Sequence, residues 1–336
     1  MEYRLLGRTG VKVSPLCLGT MLYGGKTSKD DSYAIIDRAI DAGINFLDTA
    51  NVYLRGGSEE TVGEALQRNG KRHRIVLATK VHGRMDDDDP NAQGNSRRHI
   101  IEQCEASLRR LQTDYIDLYQ IHRPRAETPL DETLRALDDL IRAGKVRYIG
   151  TSTFAAWQMV EALWIAKELG LNRFVCEQPP YHILDRRIER ELIPVAQTYG
   201  FAVIPWSPLA GGLLTGKYSR ESEPPPNSRF ADVDQNPRRR ARMTDQIFDV
   251  TEGLQPRAEA QGCTLAQLAL AWCMHQPGIT SPIIGPRTMA QLEDNLGALD
   301  VTLTDDDRAA IDELVPPGRM VSPFYEADFG PHPYRW

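Results

Sequence analysis

No stretch of the 336 residues approaches the roughly 20 consecutive apolar residues that a membrane-spanning helix requires. Met1–Gly10 also lacks the apolar core of a secretory leader. Basic charge is not in excess: 40 Lys and Arg against 46 Asp and Glu leave −6, which removes the electrostatic case for nucleic acid or an anionic membrane as partner. Cysteine is scarce and odd in number. Cys17, Cys104, Cys176, Cys263 and Cys273 show neither C-x-x-C spacing nor a Cys/His metal pattern, so they read as buried thiols of a cytoplasmic protein.

What the sequence does have is a repeated unit of structure without a repeated sequence. A short apolar run, a polar junction and an amphipathic segment follow one another along most of the chain, as β/α units do. After a hairpin (Tyr3–Leu6, Val11–Val13), strands are predicted at Leu16–Leu18, Ile44–Leu47, Ile75–Thr79, Tyr115–Ile121, Val146–Ile149, Phe174–Glu177, Ala202–Pro205 and Pro282–Ile284. Helices are predicted at Asp31–Ala42, Ser58–Gln67, Ser96–Arg110, Leu130–Ala143, Phe154–Leu169, Arg186–Thr198, Ala241–Ala260, Leu265–His275 and Thr288–Leu299. Gly43 and Gly144 stand where left-handed helix caps would lead into strands. Eight strands alternating with helices specify a parallel sheet, and the count and length suggest closure into one (β/α)8 TIM barrel spanning 1–336.

Two segments break the pattern. Ser219–Arg240, after strand seven, contains Pro224-Pro225-Pro226 and Arg238-Arg239-Arg240 and reads as a long functional loop or lid. The tail from Pro316 to Trp336 carries Phe324, Tyr325, Phe329, Tyr334 and Trp336, aromatics expected to dock on the barrel.

In such a barrel the active site lies at the C-terminal strand ends. Asp48 and Tyr53 follow strand two, Lys80 strand three and His122 strand four; Ser152, Gln178, Trp206 with Ser207, and Gly285 with Arg287 follow the later strands. Singly, each has a bland explanation as a cap, a loop aromatic, a solvated strand end or a hydrogen-bonded core residue. Together, the first four fit one reaction. Reducing a carbonyl needs a proton delivered to the developing alkoxide. A tyrosine is an acid with an ordinary pKa of about 10, which a nearby ammonium lowers. Lys80 would supply that ammonium, Asp48 would hold it charged, and His122 would orient the carbonyl oxygen.

These residues also carry a resemblance. Leu47-Asp48-Thr49-Ala50-Asn51-Val52-Tyr53, Ala78-Thr79-Lys80 and Tyr119-Gln120-Ile121-His122 resemble the Asp/Tyr/Lys/His tetrad of the aldo-keto reductase superfamily. The likeness continues through Gly19-Thr20-Met21, Gly150-Thr151-Ser152-Thr153-Phe154, Gln178, Pro205 to Gly212, Gly216-Lys217-Tyr218 and Ile284-Gly285-Pro286-Arg287. It implies Asp48, Tyr53, Lys80 and His122 as catalytic, with Tyr53 the proton donor. It implies a cofactor held by Gly19, Thr20 and Met21, by Ser152 and Gln178 at the nicotinamide carboxamide, and by Trp206 against its ring. Ser207, Leu209, Gly212 and Lys217 would meet the pyrophosphate, and Gly285, Arg287, Gln291, Asp294 and Asn295 the adenosine end. Thr153 stands where many members have asparagine. Arg287, near the start of the last helix, favours NADPH over NADH through a 2′-phosphate contact.

Other readings fit less well. Gly211-Gly212-Leu213-Leu214-Thr215-Gly216-Lys217 has P-loop spacing, but Tyr218 replaces the required Ser or Thr. The β subunits of potassium channels share the barrel and serve mainly as regulators, so a binding role is the alternative to turnover. No metal is assigned: the seven histidines do not cluster at strand ends, and Asp86–Asp89 reads as a solvated loop. Tyr23, Leu54 and Arg123 are candidates for the mouth of the pocket, whose substrate is a small carbonyl compound. A charged rim suits a keto-sugar, and the aromatics suit an aryl aldehyde.

Overall fold

The computed structural model describes residues 1–231 and 236–321. A hairpin of β1 (Arg4–Leu5) and β2 (Lys12–Val13) precedes eight strands: β3 (Cys17–Gly19), β4 (Phe46–Asp48), β5 (Val76–Val81), β6 (Ile116–Ile121), β7 (Val146–Ser152), β8 (Cys176–Gln178), β9 (Ala202–Val203) and β10 (Ile283–Ile284). The eight form one parallel sheet in the order β10-β3-β4-β5-β6-β7-β8-β9. Between β9 and β10 there is no ladder. The seam is joined instead by Thr280 N donating to Val203 O (2.8 Å) and Ile283 N donating to Pro205 O (2.7 Å). With that seam bridged, the sheet is the (β/α)8 arrangement that the alternation of strands and helices predicts.

Helices α1 (Lys29–Asp41), α2 (Gly57–Asn69), α3 (Arg97–Arg110), α4 (Leu130–Arg142), α5 (Ala156–Leu169) and α6 (Leu192–Tyr199) cross between successive strands from β3 to β9. A short α7 (Pro237–Arg240), then α8 (Asp245–Ala260) and α9 (Leu265–Met274), precede β10, with α10 (Met289–Gly297) and α11 (Asp305–Leu314) after it. The ends follow local chemistry. Ser96 caps α3 by accepting from His99 N at 3.3 Å, and Gly43 and Gly144 turn out of their helices with φ of 98° and 74°.

The boundaries depart from the sequence reading where backbone donors are missing or diverted. The stretch read as one helix from Arg186 is a 3-10 turn (Arg187–Glu189) followed by α6, whose Pro194 lacks an N–H and so sits in the first turn. Strand seven is cut to Ala202–Val203, and Pro205 contributes only its carbonyl to the seam. Helix α8 starts at Asp245 rather than near Ala241, and α11 has no counterpart in the sequence reading.

Leu6 and Val13 of the hairpin, both fully buried, share one apolar cluster with Cys17, Phe46, Ala78, Leu118, Cys176 and Ala202, so the hairpin plugs the end of the barrel where the strands begin. The larger cluster lies between the sheet and its helices. The long segment after β9 is partly packed: Phe230 is buried edge-on to Tyr218, and Arg220 bridges Asp249 and Glu252 of α8. After α11, Val321 N donates to Leu184 O and Arg186 N to Arg319 O, pinning residues 319–321. The five aromatics from Phe324 to Trp336 lie outside the described residues, as do residues 232–235.

Candidate active site

Sheet register brings the polar side chains together. Asp48 pairs with Ala78, Lys80 with Gln120, Gln120 with Gly150 and Ser152 with Gln178. These polar residues therefore end their strands at one rim. Gly150 leaves room for this layer, since a Cβ there would stand 2.4 Å from Cys176 Sγ.

Asp48 and Lys80 are 3% and 0% exposed and form an ion pair. The other carboxylate oxygen of Asp48 accepts from Gln120 Nε2 (3.1 Å) and Gln178 Nε2 (3.0 Å). Lys80 Nζ has three acceptors for its three protons: the Asp48 carboxylate, Thr49 O at 2.8 Å and the Tyr53 hydroxyl at 3.4 Å. That is the geometry of a charged ammonium. Burial opposes the charge, but Asp48 and Tyr53 outweigh it and raise the Lys80 pKa. Because the lysine donates to the Tyr53 oxygen, the phenolic proton is left to point elsewhere.

Tyr53 is half-buried at the start of a 3-10 turn, Tyr53–Gly56. The next two residues, Leu54 and Arg55, hold φ of 51° and 53°, a left-handed conformation that costs non-glycine residues about 1–3 kcal/mol each. The turn thereby reverses the chain immediately after the hydroxyl is placed. His122 meets the Tyr53 ring edge-on, with centroids 5.6 Å apart and planes at 81°. Burial, helped by the charges of Lys80 and Arg123, lowers the His122 pKa well below the usual histidine value. A neutral imidazole beside a phenol offers two polarising groups to one oxygen atom.

On the neighbouring side Ser152 Oγ donates to Gln178 O (2.9 Å). Arg123 Nη1 donates to Thr153 Oγ1 (2.7 Å) and His122 O (2.7 Å) and lies 3.3 Å from Ser152 Oγ, while its guanidinium carbon is 5.9 Å from the centre of the half-buried Trp206 ring. Thr153 holds φ 62°, strained for a β-branched residue and easier for asparagine. Glu177, wholly buried behind this turn, accepts from the Thr151 hydroxyl and from Phe154 N at 3.1 Å. Burial pushes its pKa up to about 8 against those hydrogen bonds. Its folded pKa exceeds its unfolded one, so its contribution to stability is full below about pH 4.5 and is lost as pH rises towards 8. Glu177→Gln is expected to flatten the fall of unfolding free energy between pH 5 and 8 measured in urea; an unchanged slope would show that Glu177 ionises freely.

Farther round the rim, Ser207 (φ 56°) and Leu209 lead into a 3-10 segment, Ala210–Thr215, rather than the α-helix a P-loop needs. Gly211 and Gly212 hold φ of 68° and 102°; a Cβ on Gly211 would stand 3.1 Å from Arg229 Cδ and one on Gly212 2.9 Å from Lys217 Nζ. Lys217 is lowered in pKa by burial and by Arg287 and Arg229, and Arg229 by burial and by Arg239, Arg242 and Arg287. The three cations Lys217, Arg229 and Arg287 thus sense one another, and no carboxylate among the described residues pairs with any of them. Arg287 Nη1 donates to Asn227 O (2.9 Å) of the long segment, and its backbone N–H donates to Gln291 Oε1 (2.8 Å).

Some sequence candidates take a different place. Tyr23 is 1% exposed and gives its hydroxyl proton to Pro286 O, so it is packing rather than pocket mouth. Thr20 ties the end of β4 through Asp48 O, and Asp294 accepts from Thr264 and Gln267 of the α9 region. Asn295 is buried, Gly19 half-buried, and Met21, Leu54 and Gly285 are exposed. Gln120, Glu177 and Arg229 were not singled out from sequence. The signal for Gln120 was an amide inside the apolar run Leu118–Ile121. Among the described residues no three His, Cys, Asp or Glu side chains cluster as metal ligands, and no helix is long and apolar enough to cross a membrane.

Comparison with known proteins supplies the family. The model of the Aldo/keto reductase family matches residues 15–316. An uncharacterized oxidoreductase of Bacillus subtilis is 40% identical over 94% of this chain and 96% of its own. A probable voltage-gated potassium channel subunit beta of Arabidopsis thaliana is 39% identical over 90% and 92%, and a versiconal hemiacetal acetate reductase of Aspergillus parasiticus 36% identical over 93% and 96%. With a family match across nearly the whole barrel and relatives aligned over nine-tenths of its length, the chain belongs to the aldo/keto reductase family.

Proposed function

We propose that the protein is a cytoplasmic oxidoreductase, built on 1–336 as one domain, that reduces an aldehyde or ketone to the alcohol with NADPH. The observation that carries this reading is the three-acceptor environment of Lys80: it fixes the ammonium against Asp48 and aims a hydrogen bond at the oxygen of Tyr53. An ammonium in that position stabilises the phenolate left when the proton goes to a developing alkoxide. Tyr53 is then the general acid, and neutral His122 donates to the carbonyl oxygen and sets its approach.

The residues present fit a dinucleotide. Lys217, Arg229 and Arg287, which no carboxylate among the described residues pairs with, suit with the glycine backbone at 211 and 212 a string of phosphates. In this reading Ser207, Leu209, Gly212 and Lys217 hold the pyrophosphate, Gly285, Arg287, Gln291, Asp294 and Asn295 surround the adenosine end, and Ser152, Gln178 and Trp206, with Gly19, Thr20 and Met21, flank the nicotinamide. When bound, the reduced cofactor supplies the hydride. Arg123, which donates to Thr153 Oγ1 beside Ser152, supplies a donor near the residue that replaces asparagine, and with Leu54 it lines the substrate side.

The test is NADPH oxidation against aryl aldehydes, diketones and keto-sugars. Turnover on any of them supports the proposal; tight cofactor binding without turnover favours a regulatory, channel-subunit-like role instead, the Arabidopsis relative being named a probable potassium channel subunit beta. Arg287→Ala is expected to weaken NADPH about tenfold to a hundredfold, the worth of one charged hydrogen bond, with little effect on NADH. Equal loss for both cofactors, measured by fluorescence titration, would remove the 2′-phosphate assignment.

A further inference from the structure

At the opposite end of the barrel, where the strands begin, a cavity of about 340 Å³ opens beside the N-terminal hairpin. Arg8, Arg147 and Arg173 stand around it, with Ile141, Ile149 and Val175 as apolar wall, and no carboxylate among the described residues contributes to the lining. Arg8 and Arg173 feel each other's charge across this space, so the approach of the second cation needs a reason.

Arg173 is anchored by donating to Tyr199 O (2.8 Å) and Phe174 O (3.4 Å). Arg147 donates to Gly144 O (3.3 Å) and lies over the Tyr115 ring. Asp117, the acid that senses Arg147, is already bridged to Arg72 at 2.8 Å. Arg8 comes from the tip of the hairpin and is brought in by backbone shape. Gly7 presses the tip so close that a Cβ would stand 2.6 Å from Val175 O, and a Cβ on Gly200 would stand 2.5 Å from Arg8 Cγ and Cδ. Packing thus forces a third cation towards a cavity that already has two, and its approach adds to burial in holding the Arg173 pKa down.

We propose that this cavity binds the phosphate group of a small organic phosphate, the guanidinium groups taking the phosphate oxygens and the apolar wall the organic part. The site is separate from the rim described above: Arg147 and Tyr148, at the cavity, lie in the first half of β7, and Ser152 at its end. A ligand here would act on stability or assembly, away from the reacting atoms.

Isothermal titration calorimetry on the full chain tests this with phenyl phosphate and inorganic phosphate at constant ionic strength. It compares wild type, Arg8→Ala, Arg147→Ala and, as control for the rim cations, Lys217→Ala/Arg287→Ala. The expected result is phenyl phosphate binding at least tenfold tighter than inorganic phosphate, weakened tenfold or more by either single substitution and retained in the control. Arg8 and Arg147 are exposed, so both variants should fold, which circular dichroism checks. No binding, equal affinity for the two probes, binding indifferent to Arg8→Ala, or binding lost only in the control would each overturn the proposal.

Discussion

Replacing Tyr53 by phenylalanine is expected to lower kcat for carbonyl reduction by roughly a hundredfold to ten-thousandfold, the range a positioned general acid supplies. Cofactor affinity and thermal stability should stay close to wild type. The substitution removes one hydroxyl whose described partner is Lys80 at 3.4 Å, and it keeps the ring that packs edge-on against His122. The measurement is steady-state NADPH oxidation beside a fluorescence titration of the cofactor. A variant with wild-type turnover would show that the proton comes from another group.

Lys80→Met is expected to act on both activity and folding. It leaves the Asp48 carboxylate 3% exposed with only the two glutamine amides as donors, and breaking one partner out of a buried ion pair typically costs about 3–5 kcal/mol. Asp48→Leu/Lys80→Met, which removes both charges, should recover much of that stability and none of the activity. Urea unfolding of the two variants separates the cases: equal destabilisation of single and double variants would mean that the ion pair is not the source of the loss. The pH dependence has a definite sign. The folded pKa of Lys80 is raised above its unfolded value, so its contribution is complete below about pH 10 and is lost as pH climbs through the raised value. Wild type should therefore lose stability in strong alkali through this group, and the Met variant should not.

The repeat of apolar run and amphipathic segment was enough to read the barrel, because each β/α unit announces itself within about 30 residues. What the sequence hid depends on contacts far apart in the chain. Seam closure rests on Thr280 and Ile283 reaching the carbonyls of Val203 and Pro205, which no local pattern shows. Helix α11 did carry a local sign, Thr304 followed by Asp305, Asp306 and Asp307 at an N-terminus, which the sequence reading did not use. The rim was legible as residue types after strands. Its second layer was not: Gln120 on Asp48, and Glu177 behind Thr153, are known only once register sets neighbouring strands side by side. Tyr23 shows the converse, a residue in a promising position whose hydroxyl is satisfied inside the core.

The seam between β9 and β10 has a mechanical consequence. It is the one joint of the barrel without a ladder, and the two segments proposed to hold the dinucleotide, 206–217 and 285–295, stand one on each side of it. A molecule gripped by both acts as a clasp on the barrel's hoop. If the dinucleotide proposed above is held by both, opening of the hoop requires letting it go, and exchange of the amides of Thr280 and Ile283 is expected to slow when it is bound.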